Sequence, residues 1–456
     1  MNFNDIPIIN DKPIAEEDEV VRQQLKELGQ PVFINGEDDQ ARRERLFILV
    51  NDAGFETSDI HSGEDDDEED DDEEEDFYTP GPTNLYDARI RILNHSLGKA
   101  SYRLQHQREM LQKIPQFTTI LKKRRSINSK LSQIELCGSQ VIQGNTRAVS
   151  SVRYSSSGDL IACGTWDGSV HVLNNNDLSP SGKLLGGQHA EKVGGLDWQA
   201  KDSQQRLISG GSEGTMNIWN ITASDEVIKP KLSIKEAHTN RITKTLFHPI
   251  GDFALSTSFD QTWKLWDLNK VVELYQQEGH SKEIYSGAIH PDGSLFLSGG
   301  LDGVVYVWDL RSGRALMPLQ KHMQGVYGLD WSLNGYHFAS GSGDCSVKIW
   351  DMRKLDHSGE ELFSIPAHTK LVSDVRFHSG NGVADEDGFN TNGSCLATSS
   401  YDGTVKIWSA DNWILINTLK GHNEKVMSCD ISDANNAINF VSGGWDRTVK
   451  LWQSPQ

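Results

Sequence analysis

The sequence predicts an all-β fold, a seven-bladed β-propeller over residues 131–456, with an N-terminal helical and partly disordered extension. A residue preceded by alternating apolar side chains recurs seven times, at Leu173, Trp219, Trp266, Trp308, Trp350, Trp408 and Trp452. The steps between these positions are 46, 47, 42, 42, 58 and 44 residues, whereas one propeller blade takes about 40–45. The long step contains residues 379–394, where Gly, Asn and Asp predict a loop.

The last repeat unit has only three strands in the sequence, because the chain ends four residues after Trp452. A strand edge left in this way needs a partner. Residues 132–144 have strand character and directly precede the first unit. We therefore expect residues 131–144 to supply the outer strand of the last blade and to close the ring.

Six of the units share four polar or aromatic positions at fixed offsets from one another. A His lies near the start, a Ser or Thr lies ten residues before the Trp, and an acid lies six before it. This pattern resembles WD40 repeats, in which the four side chains form a buried hydrogen-bonded chain, here called the tetrad. The complete sets are His238, Ser256, Asp260 and Trp266; His280, Ser298, Asp302 and Trp308; His322, Ser340, Asp344 and Trp350; His368, Thr398, Asp402 and Trp408; His422, Ser442, Asp446 and Trp452.

Two units depart from the tetrad pattern. In the second unit Glu213 replaces Asp beside His189, Ser209 and Trp219, and its longer side chain puts the turn contact in doubt. The first unit keeps only Asp167, because Asn145, Cys163 and Leu173 occupy the other places. We expect packing against its neighbours to hold that blade.

A Ser–His–Asp set also occurs in hydrolases, as a catalytic triad with an exposed nucleophile. An enzyme needs one active site, whereas this set recurs in six units. The sequence also lacks a phosphate-binding glycine loop and metal-ligand spacing. We predict no catalytic residues, no metal site and no cofactor.

The resemblance implies a partner-binding face, formed by the turns around the tetrad acid and by the start of each first strand. Aromatic and cationic side chains dominate these positions, and such side chains are enriched in interface hot spots. The alternative is that the aromatics only pack against neighbouring loops. The predicted partner-binding residues are Trp166, Lys192, Arg241, Phe259, Tyr285, Tyr327, Tyr401, Lys425 and Trp445.

Three segments with different compositions precede the basic region. We expect residues 1–14 to be disordered and residues 15–52 to form two short helices, with Val21, Leu25 and Leu28 on one face. Such a short segment buries little core alone, so it is a docking motif or becomes ordered on a partner. Residues 53–76 form an acidic linker. Its unbroken run of 13 acids at residues 64–76 is a solvated spacer or an electrostatic mimic of nucleic acid.

Residues 77–130 form a basic helical segment. A helix is predicted from about Asn84, with Leu85, Ile92, Leu93 and Leu97 as its apolar positions and its arginines and lysines directed outward. The charge suits RNA or ribonucleoprotein contact, nuclear import, or both together, and the remaining alternative is a solvated face. The candidate RNA-binding residues are Arg89, Arg91, Lys99, Arg103, Arg108, Lys113, Lys122, Lys123, Arg124, Arg125 and Lys130.

The five cysteines are scattered and include no C-x-x-C pair, which argues against a disulfide framework or a zinc site. No stretch approaches the length of a membrane span, and residues 1–11 do not resemble a signal peptide. We therefore expect a soluble intracellular protein without a membrane partner.

The order of the N-terminal motifs makes a more specific resemblance. The segment VRQQLKELGQPVFINGEDDQARRERL, an acidic linker and FYTPGPTNLYDARIRI precede the propeller, and this order is similar to the pre-mRNA-processing factor 4 family of U4/U6 small nuclear ribonucleoproteins (snRNPs). The first segment is similar to that family's short splicing-factor motif. The resemblance implies a nuclear, non-enzymatic splicing scaffold that holds a U4/U6-specific splicing factor protein and helps to place U4 and U6 snRNA among other tri-snRNP proteins. In some lineages the family's N-terminal region also binds a cyclophilin.

Two other classes remain as alternatives. A WD40 substrate receptor of a ubiquitin ligase and a chromatin-type scaffold would each account for the propeller. Neither class gives a role to residues 77–126, and no F-box is recognisable. Because fold alone does not determine function, the N-terminal third decides between the classes.

Overall fold

The computed structural model divides the chain into two compact units, Met1–Tyr78 and Thr79–Gln456, and each is described by itself. The described residues are 8–9, 12–13, 21–22, 25–26, 42 and 45 in the first unit, and 83–113, 117–142, 147–181, 184–185, 189–199, 205–221, 227–355, 359–379, 393–434 and 437–454 in the second.

In the described part of the second unit, the innermost strands of seven sheets contact one another in a closed ring, which is a seven-bladed propeller. The predicted fold class is therefore confirmed. From the innermost strand outward, blades 2–6 contain Val193–Trp198, Arg206–Gly211, Met216–Asn220 and Leu232–Ile234; Ile242–Phe247, Phe253–Ser258, Trp263–Asp267 and Val272–Gln277; Ile284–Ile289, Leu295–Gly300, Val305–Asp309 and Arg314–Leu319; Val326–Trp331, His337–Ser342, Ser346–Asp351 and Phe363–Pro366; Val372–Phe377, Cys395–Ser400, Thr404–Ser409 and Leu415–Lys420.

Blade 7 joins the two ends of the propeller. Its inner three strands are Val426–Ala434, Ala437–Gly444 and Thr448–Gln453, and its outer strand is Glu135–Val141 from the start of the domain. The outer strand runs antiparallel to Thr448–Gln453, from Glu135 opposite Gln453 to Val141 opposite Thr448. The edge left by the last repeat is thus covered by chain that precedes the first repeat.

Blade 1 is the irregular one. Its sheet has three strands, Val149–Tyr154, Leu160–Thr165 and Val170–Asn174. Beyond them, Leu184–Leu185 pairs in parallel with Val227–Ile228. The blade is held by an apolar cluster that includes Val152, Ile161 and Leu173 together with Val441 and Leu451 of blade 7. This packing agrees with the expectation for a blade that has lost its tetrad.

The inner strand of every blade has a register shift one residue after its start. A β-bulge of this kind leaves one residue out of the ladder and changes the direction of its side chain. The residues that the seven shifts skip are Ser150, Gly194, Thr243, Tyr285, Tyr327, Ser373 and Met427.

Two helices precede the first blade. Helix α1, Thr83–Lys113, starts one residue before the predicted position, and helix α2, Phe117–Ser132, leads into the closing strand. Leu85, Ala88 and Ile92 of α1 lie in one apolar cluster with residues of blades 3 and 4, including Phe253. Leu93 and Leu97, which the sequence also assigns to the apolar positions, are exposed. No described helix has the length and hydropathy needed to span a bilayer.

In the first unit, Ile8–Ile9 and Lys12–Pro13 pair antiparallel. The β-branched Ile8 and Ile9 favour this pairing, and disorder of residues 1–14 stays a prediction. Val21 and Leu25 are helical and buried. Leu28, the acidic run at residues 64–76 and most of the loop at residues 379–394 lie outside the described residues.

Candidate partner-binding face and basic helices

The tetrads are present in blades 3 to 7. In blade 3, His238 Nδ1 lies 2.8 Å from an Asp260 carboxylate oxygen, His238 Nε2 lies 2.7 Å from Ser256 Oγ, and Trp266 Nε1 donates to Ser256 Oγ at 2.9 Å. Blades 4 to 7 repeat these contacts, with Thr398 in place of Ser in blade 6. Each tetrad therefore joins the second and third strands of a blade, the turn between them and the loop that precedes the first strand.

The acid of the second unit makes the contact that its longer side chain put in doubt. His189 Nδ1 lies 2.6 Å from a Glu213 carboxylate oxygen, and His189 Nε2 lies 2.5 Å from Ser209 Oγ. Thr215 Oγ1 also donates to Glu213, which fixes the longer arm against the turn. The doubt about Glu213 was therefore wrong. Asn145 of the first unit lies outside the described residues.

The tetrad acids are held in the ionised form. Burial opposes this form, but the hydrogen bonds from His238 and Thr262 outweigh it and lower the pKa of Asp260 to about 2. The same balance, with His189 and Thr215 as the donors, lowers the pKa of Glu213 to about 2. The tetrad hydroxyls of Ser256 and its equivalents are fully buried, so they do not form exposed nucleophiles.

The nine predicted partner-binding residues lie together at one face of the propeller. Lys425 Nζ lies 4.9 Å from the ring centre of Tyr401 and 4.3 Å from that of Trp445. Trp445 contacts Trp166 edge to face at 5.2 Å, and Lys192 Nζ lies 4.4 Å from the Trp166 ring. Blades 6, 7, 1 and 2 are linked in this way by contacts among cations and aromatic rings.

The same series continues through blades 3, 4 and 5. The Arg241 guanidinium lies 4.8 Å from the Phe259 ring centre, Phe259 and Tyr285 are 6.2 Å apart, and Tyr285 meets Tyr327 edge to face at 4.9 Å. Arg241 is exposed and the other eight residues are half-buried. We call these nine residues the cation–aromatic ring. The aromatic side chains contact one another, as expected if they only pack against neighbouring loops. They are also partly exposed, as expected for a partner-binding face.

A pocket lies inside the cation–aromatic ring, and sequence reasoning missed most of its lining. Six of the seven bulged residues line it, together with Lys244 and Asp374 from the same inner strands. Each bulged residue follows the first apolar position of an inner strand, so its place in the sequence could have been identified. A period-two pattern does not show that a bulge turns this residue toward the pocket. The other lining residues are Ser151, Lys192, Ser212, Arg241, Ile242, Phe259 and Ser428.

Asp374 is the acidic residue of the pocket, and cations compensate its charge. An Arg153 guanidinium nitrogen donates to Asp374 at 3.0 Å, Lys244 Nζ lies 3.7 Å away, and Ser428 Oγ donates at 2.8 Å. Burial opposes the carboxylate, but Arg153 and Lys244 hold the pKa of Asp374 well below its usual range. The pocket wall therefore has excess positive charge.

Helix α1 lies across the opposite face of the propeller. Asp302 lies between the second and third strands of blade 4 and Asp292 between the first and second, so these two turns are at opposite ends of the sheet. Arg103 donates to both carboxylate oxygens of Asp292, at 3.1 and 2.6 Å, and to the carbonyl of Asn334 in blade 5 at 2.8 Å. The helix thus bridges adjacent blades.

This docking corrects the expected direction of three arginines. Arg89 lies 5.3 Å from the Tyr275 ring, Arg91 pairs with Asp252 of blade 3, and Arg103 pairs with Asp292. Helical periodicity alone does not show which charged side of a helix meets the domain, and the acids of the inner hairpin turns attract these side chains. The Arg103 side chain is only 17% exposed, because it packs against blades 4 and 5 and pairs with Asp292.

The rest of the basic segment is mostly accessible. Arg124 lies 3.6 Å from Asp411 of blade 6, Lys123 is half-buried, and the Lys113 side chain lies outside the described residues. The exposed candidates are Lys99, Arg108, Lys122, Arg125 and Lys130. Among the described residues, no group of three or more His, Cys, Asp or Glu side chains could hold a metal ion.

Seven blades, of which blades 3 to 7 contain a buried, hydrogen-bonded tetrad, define a WD40-repeat protein. Six segments, residues 138–174, 229–267, 272–309, 313–351, 359–409 and 413–453, match the family described as WD domain, G-beta repeat. Residues 21–49 match the family described as pre-mRNA processing factor 4 (PRP4) like. The two matches cover most of the predicted splicing-factor motif and most of the propeller.

Individual relatives extend the similarity to nearly the whole chain. The U4/U6 small nuclear ribonucleoprotein PRP4 of Saccharomyces cerevisiae is 45% identical over 441 residues, which cover 96% of this chain and 90% of that protein. An uncharacterized WD repeat-containing protein of Schizosaccharomyces pombe is 40% identical over 54% of this chain and 52% of its own length. The human U4/U6 small nuclear ribonucleoprotein Prp4 is 35% identical over 42% of this chain and 36% of its own. The chain belongs to the pre-mRNA processing factor 4 (PRP4) like family.

Proposed function

We propose that the chain is a non-enzymatic scaffold subunit of the U4/U6 snRNP and the U4/U6.U5 tri-snRNP, acting in pre-mRNA splicing in the nucleus. The observation that carries this proposal is the 45% identity, over 96% of the chain, to a yeast protein named as a U4/U6 snRNP component. A similarity of this extent includes the propeller and both N-terminal motifs. It favours a splicing role over the ubiquitin-ligase and chromatin alternatives.

U4 and U6 snRNA bind at the two helices in this proposal. The exposed side chains of Lys99, Arg108, Lys122, Arg125 and Lys130 suit the negative charge of a phosphate backbone. Helix α1 is anchored to the propeller by Arg103 and by the burial of Ile92. The exposed cations are therefore carried on a support that need not fold during binding.

The cation–aromatic ring, on the other face, is the proposed site for a U4/U6-specific splicing factor protein. Its half-buried Trp and Tyr side chains and the exposed Arg241 have the composition of protein interface hot spots. Other tri-snRNP proteins are further proposed partners, and the resemblance to the family adds a cyclophilin at the N-terminal region. Separate surfaces for RNA and for protein are what a scaffold requires.

The proposal that the chain is not an enzyme rests on the tetrads. Each tetrad Ser or Thr hydroxyl accepts from a Trp, lies within 2.8 Å of a His and is fully buried in blades 3 to 7. A nucleophile must be reachable by its substrate. The repeated sets therefore have the contacts of structural braces.

Affinity purification of the tagged full chain from nuclear extract, followed by sequencing of the RNA that co-purifies, tests the proposed function. We expect U4 and U6 to be enriched together, relative to U1 and U2 and to an untagged control. Absence of every small nuclear RNA, with chromatin proteins or ubiquitin-ligase subunits in their place, would contradict the proposal and support one of the alternatives.

A further inference from the structure

The pocket inside the cation–aromatic ring contains cations whose charge no acid compensates. Lys192 and Arg241 line it from blades 2 and 3. Among the described residues, neither has a carboxylate oxygen within 4 Å, and their contacts are with the rings of Trp166 and Phe259. Two like charges at one wall repel each other, so this arrangement is costly unless an anion occupies the space between them.

The electrostatics of Lys192 also favour an anion in the pocket. Burial and the charge of Arg241 lower the pKa of Lys192 to about 8. A lysine in this state gains more from an incoming anion than a fully solvated lysine does, because its charge is already partly desolvated. Lys244, deeper in the pocket, adds a further positive charge beside the compensated Asp374.

A separate observation in the same pocket concerns a hydroxyl group. Ser150 is only 9% exposed, lines the pocket, and its Oγ has no hydrogen-bond partner among the described residues. Buried hydroxyls are usually satisfied. Ser150 is also the bulged residue of blade 1, so the backbone irregularity places a spare donor in the pocket that Lys192 and Arg241 also line.

We propose that this pocket binds the phosphate group of a phosphorylated serine or threonine in a protein partner, with Lys192, Arg241 and Ser150 as its ligands. The inference rests on the proposed role of the cation–aromatic ring as a protein-binding face and assigns the class of segment that enters it. A phosphate monoester carries about −1.5 to −2 charges and three acceptor oxygens, which matches two unpaired cations and a hydroxyl donor.

Protein phosphate suits the pocket better than single-stranded RNA does. Proteins that bind single strands without sequence preference stack bases on aromatic faces. Here the two aromatic residues beside the cations each have a face covered by a cation, Trp166 by Lys192 and Phe259 by Arg241. A phosphodiester also carries only one charge. Lys192 and Arg241 therefore favour a single dianionic side chain presented by an extended peptide.

Binding of three fluorescent probes to the full chain, followed by anisotropy, tests the proposal. The probes are a degenerate peptide pool with one central phosphoserine, the same pool with unmodified serine, and a uridine oligonucleotide. We expect the phosphorylated pool to bind at least about tenfold more tightly than the unmodified pool, as charge-assisted hydrogen bonds imply. Equal binding of the two pools, or tightest binding of the oligonucleotide, would overturn the proposal.

Substitutions at the pocket test whether Lys192, Arg241 and Ser150 are the residues that bind the phosphate. Lys192→Gln with Arg241→Gln should abolish the preference for the phosphorylated pool, and Ser150→Ala should reduce it without removing a charge. Lys370→Gln is the matched control, because Lys370 is an exposed lysine just before the inner strand of blade 6 and does not line the pocket. If the double variant still prefers the phosphorylated pool, the proposed phosphate ligands are wrong. If the double variant does not fold, Ser150→Ala provides the test, and an unchanged preference in that variant would overturn the proposal.

The inference and the proposed function fail in different ways. Phosphoserine preference without recovery of U4 and U6 RNA would leave the pocket assigned and overturn the splicing role. Recovery of U4 and U6 with no phosphoserine preference would overturn the pocket assignment alone.

Discussion

Arg103 of helix α1 forms a two-point ion pair with Asp292 of blade 4, on the face of the propeller opposite the cation–aromatic ring. The Asp292 side chain is 6% exposed and that of Arg103 is 17% exposed. Paired geometry and low exposure distinguish this contact from ordinary surface ion pairs, which contribute little. It fixes the basic segment to the domain.

Arg103→Ala should therefore lower the free energy of unfolding by about 2–3 kcal/mol, because it leaves the Asp292 charge without its partner. Urea unfolding of the full chain measures the effect. Lys99→Ala, an exposed lysine on the same helix, should change it by less than about 0.5 kcal/mol. Equal effects of the two changes would mean that α1 is not anchored through Arg103.

Acid should weaken the tetrads in a defined pH range. The pKa of Asp260 is about 2 in the folded chain, below the value of about 3.9 in unfolded peptides. The stability from this carboxylate is thus fully present above about pH 4 and is lost as the pH falls through about 2. Thermal unfolding between pH 5 and pH 2.5 should show Asp260→Asn with a shallower pH dependence. Asp87→Asn, at an exposed acid of α1, is the control, and a slope unchanged by Asp260→Asn would contradict the assignment.

Removal of two rings from the partner face should weaken capture of the protein partner and leave the fold intact. Tyr401→Ala with Trp445→Ala removes both aromatic faces that Lys425 contacts. Hot-spot residues of this type contribute about 2 kcal/mol or more each, so the recovery of co-purifying splicing proteins should fall at least tenfold. Met323→Ala, at a 94% exposed side chain outside the cation–aromatic ring, should have no effect. Full recovery from the double variant would show that the rings only pack against one another.

Neutralisation of exposed cations on α2 should reduce the salt dependence of RNA binding. Lys122→Gln, Arg125→Gln and Lys130→Gln together remove three exposed charges and spare Arg124, which faces Asp411. Each lost phosphate contact lowers the slope of log K against log salt by about 0.7–0.9. Titration of U4/U6 RNA at several salt concentrations measures it. A slope equal to that of the unmodified chain would exclude α2 from the RNA site.

The tetrads and the closing strand could be predicted because they depend on local spacing. Fixed offsets in the repeat identified His238, Ser256 and Asp260, and the incomplete last unit indicated that residues 132–144 supply a strand. The contact between Glu213 and His189 was underestimated, because the support of Thr215 depends on the three-dimensional turn.

The direction of helix α1 and the pocket could not be predicted from the pattern. Arg103 has the same spacing whether it meets water or Asp292, and only the positions of the inner hairpin turns decide between them. Ser150 and Thr243 reach the pocket through β-bulges, which no alternation of apolar residues reveals. Both unpredicted features depend on contacts between segments that are distant in sequence.

The central claim is that RNA and protein bind to separate surfaces of one scaffold. Ultraviolet crosslinking of the purified particle, with mass spectrometry of the peptides joined to RNA, tests it most directly. We predict crosslinked peptides within residues 83–132 and none that contain Trp166, Tyr401 or Trp445. Crosslinks concentrated at the cation–aromatic ring, with none in the two helices, would contradict the account.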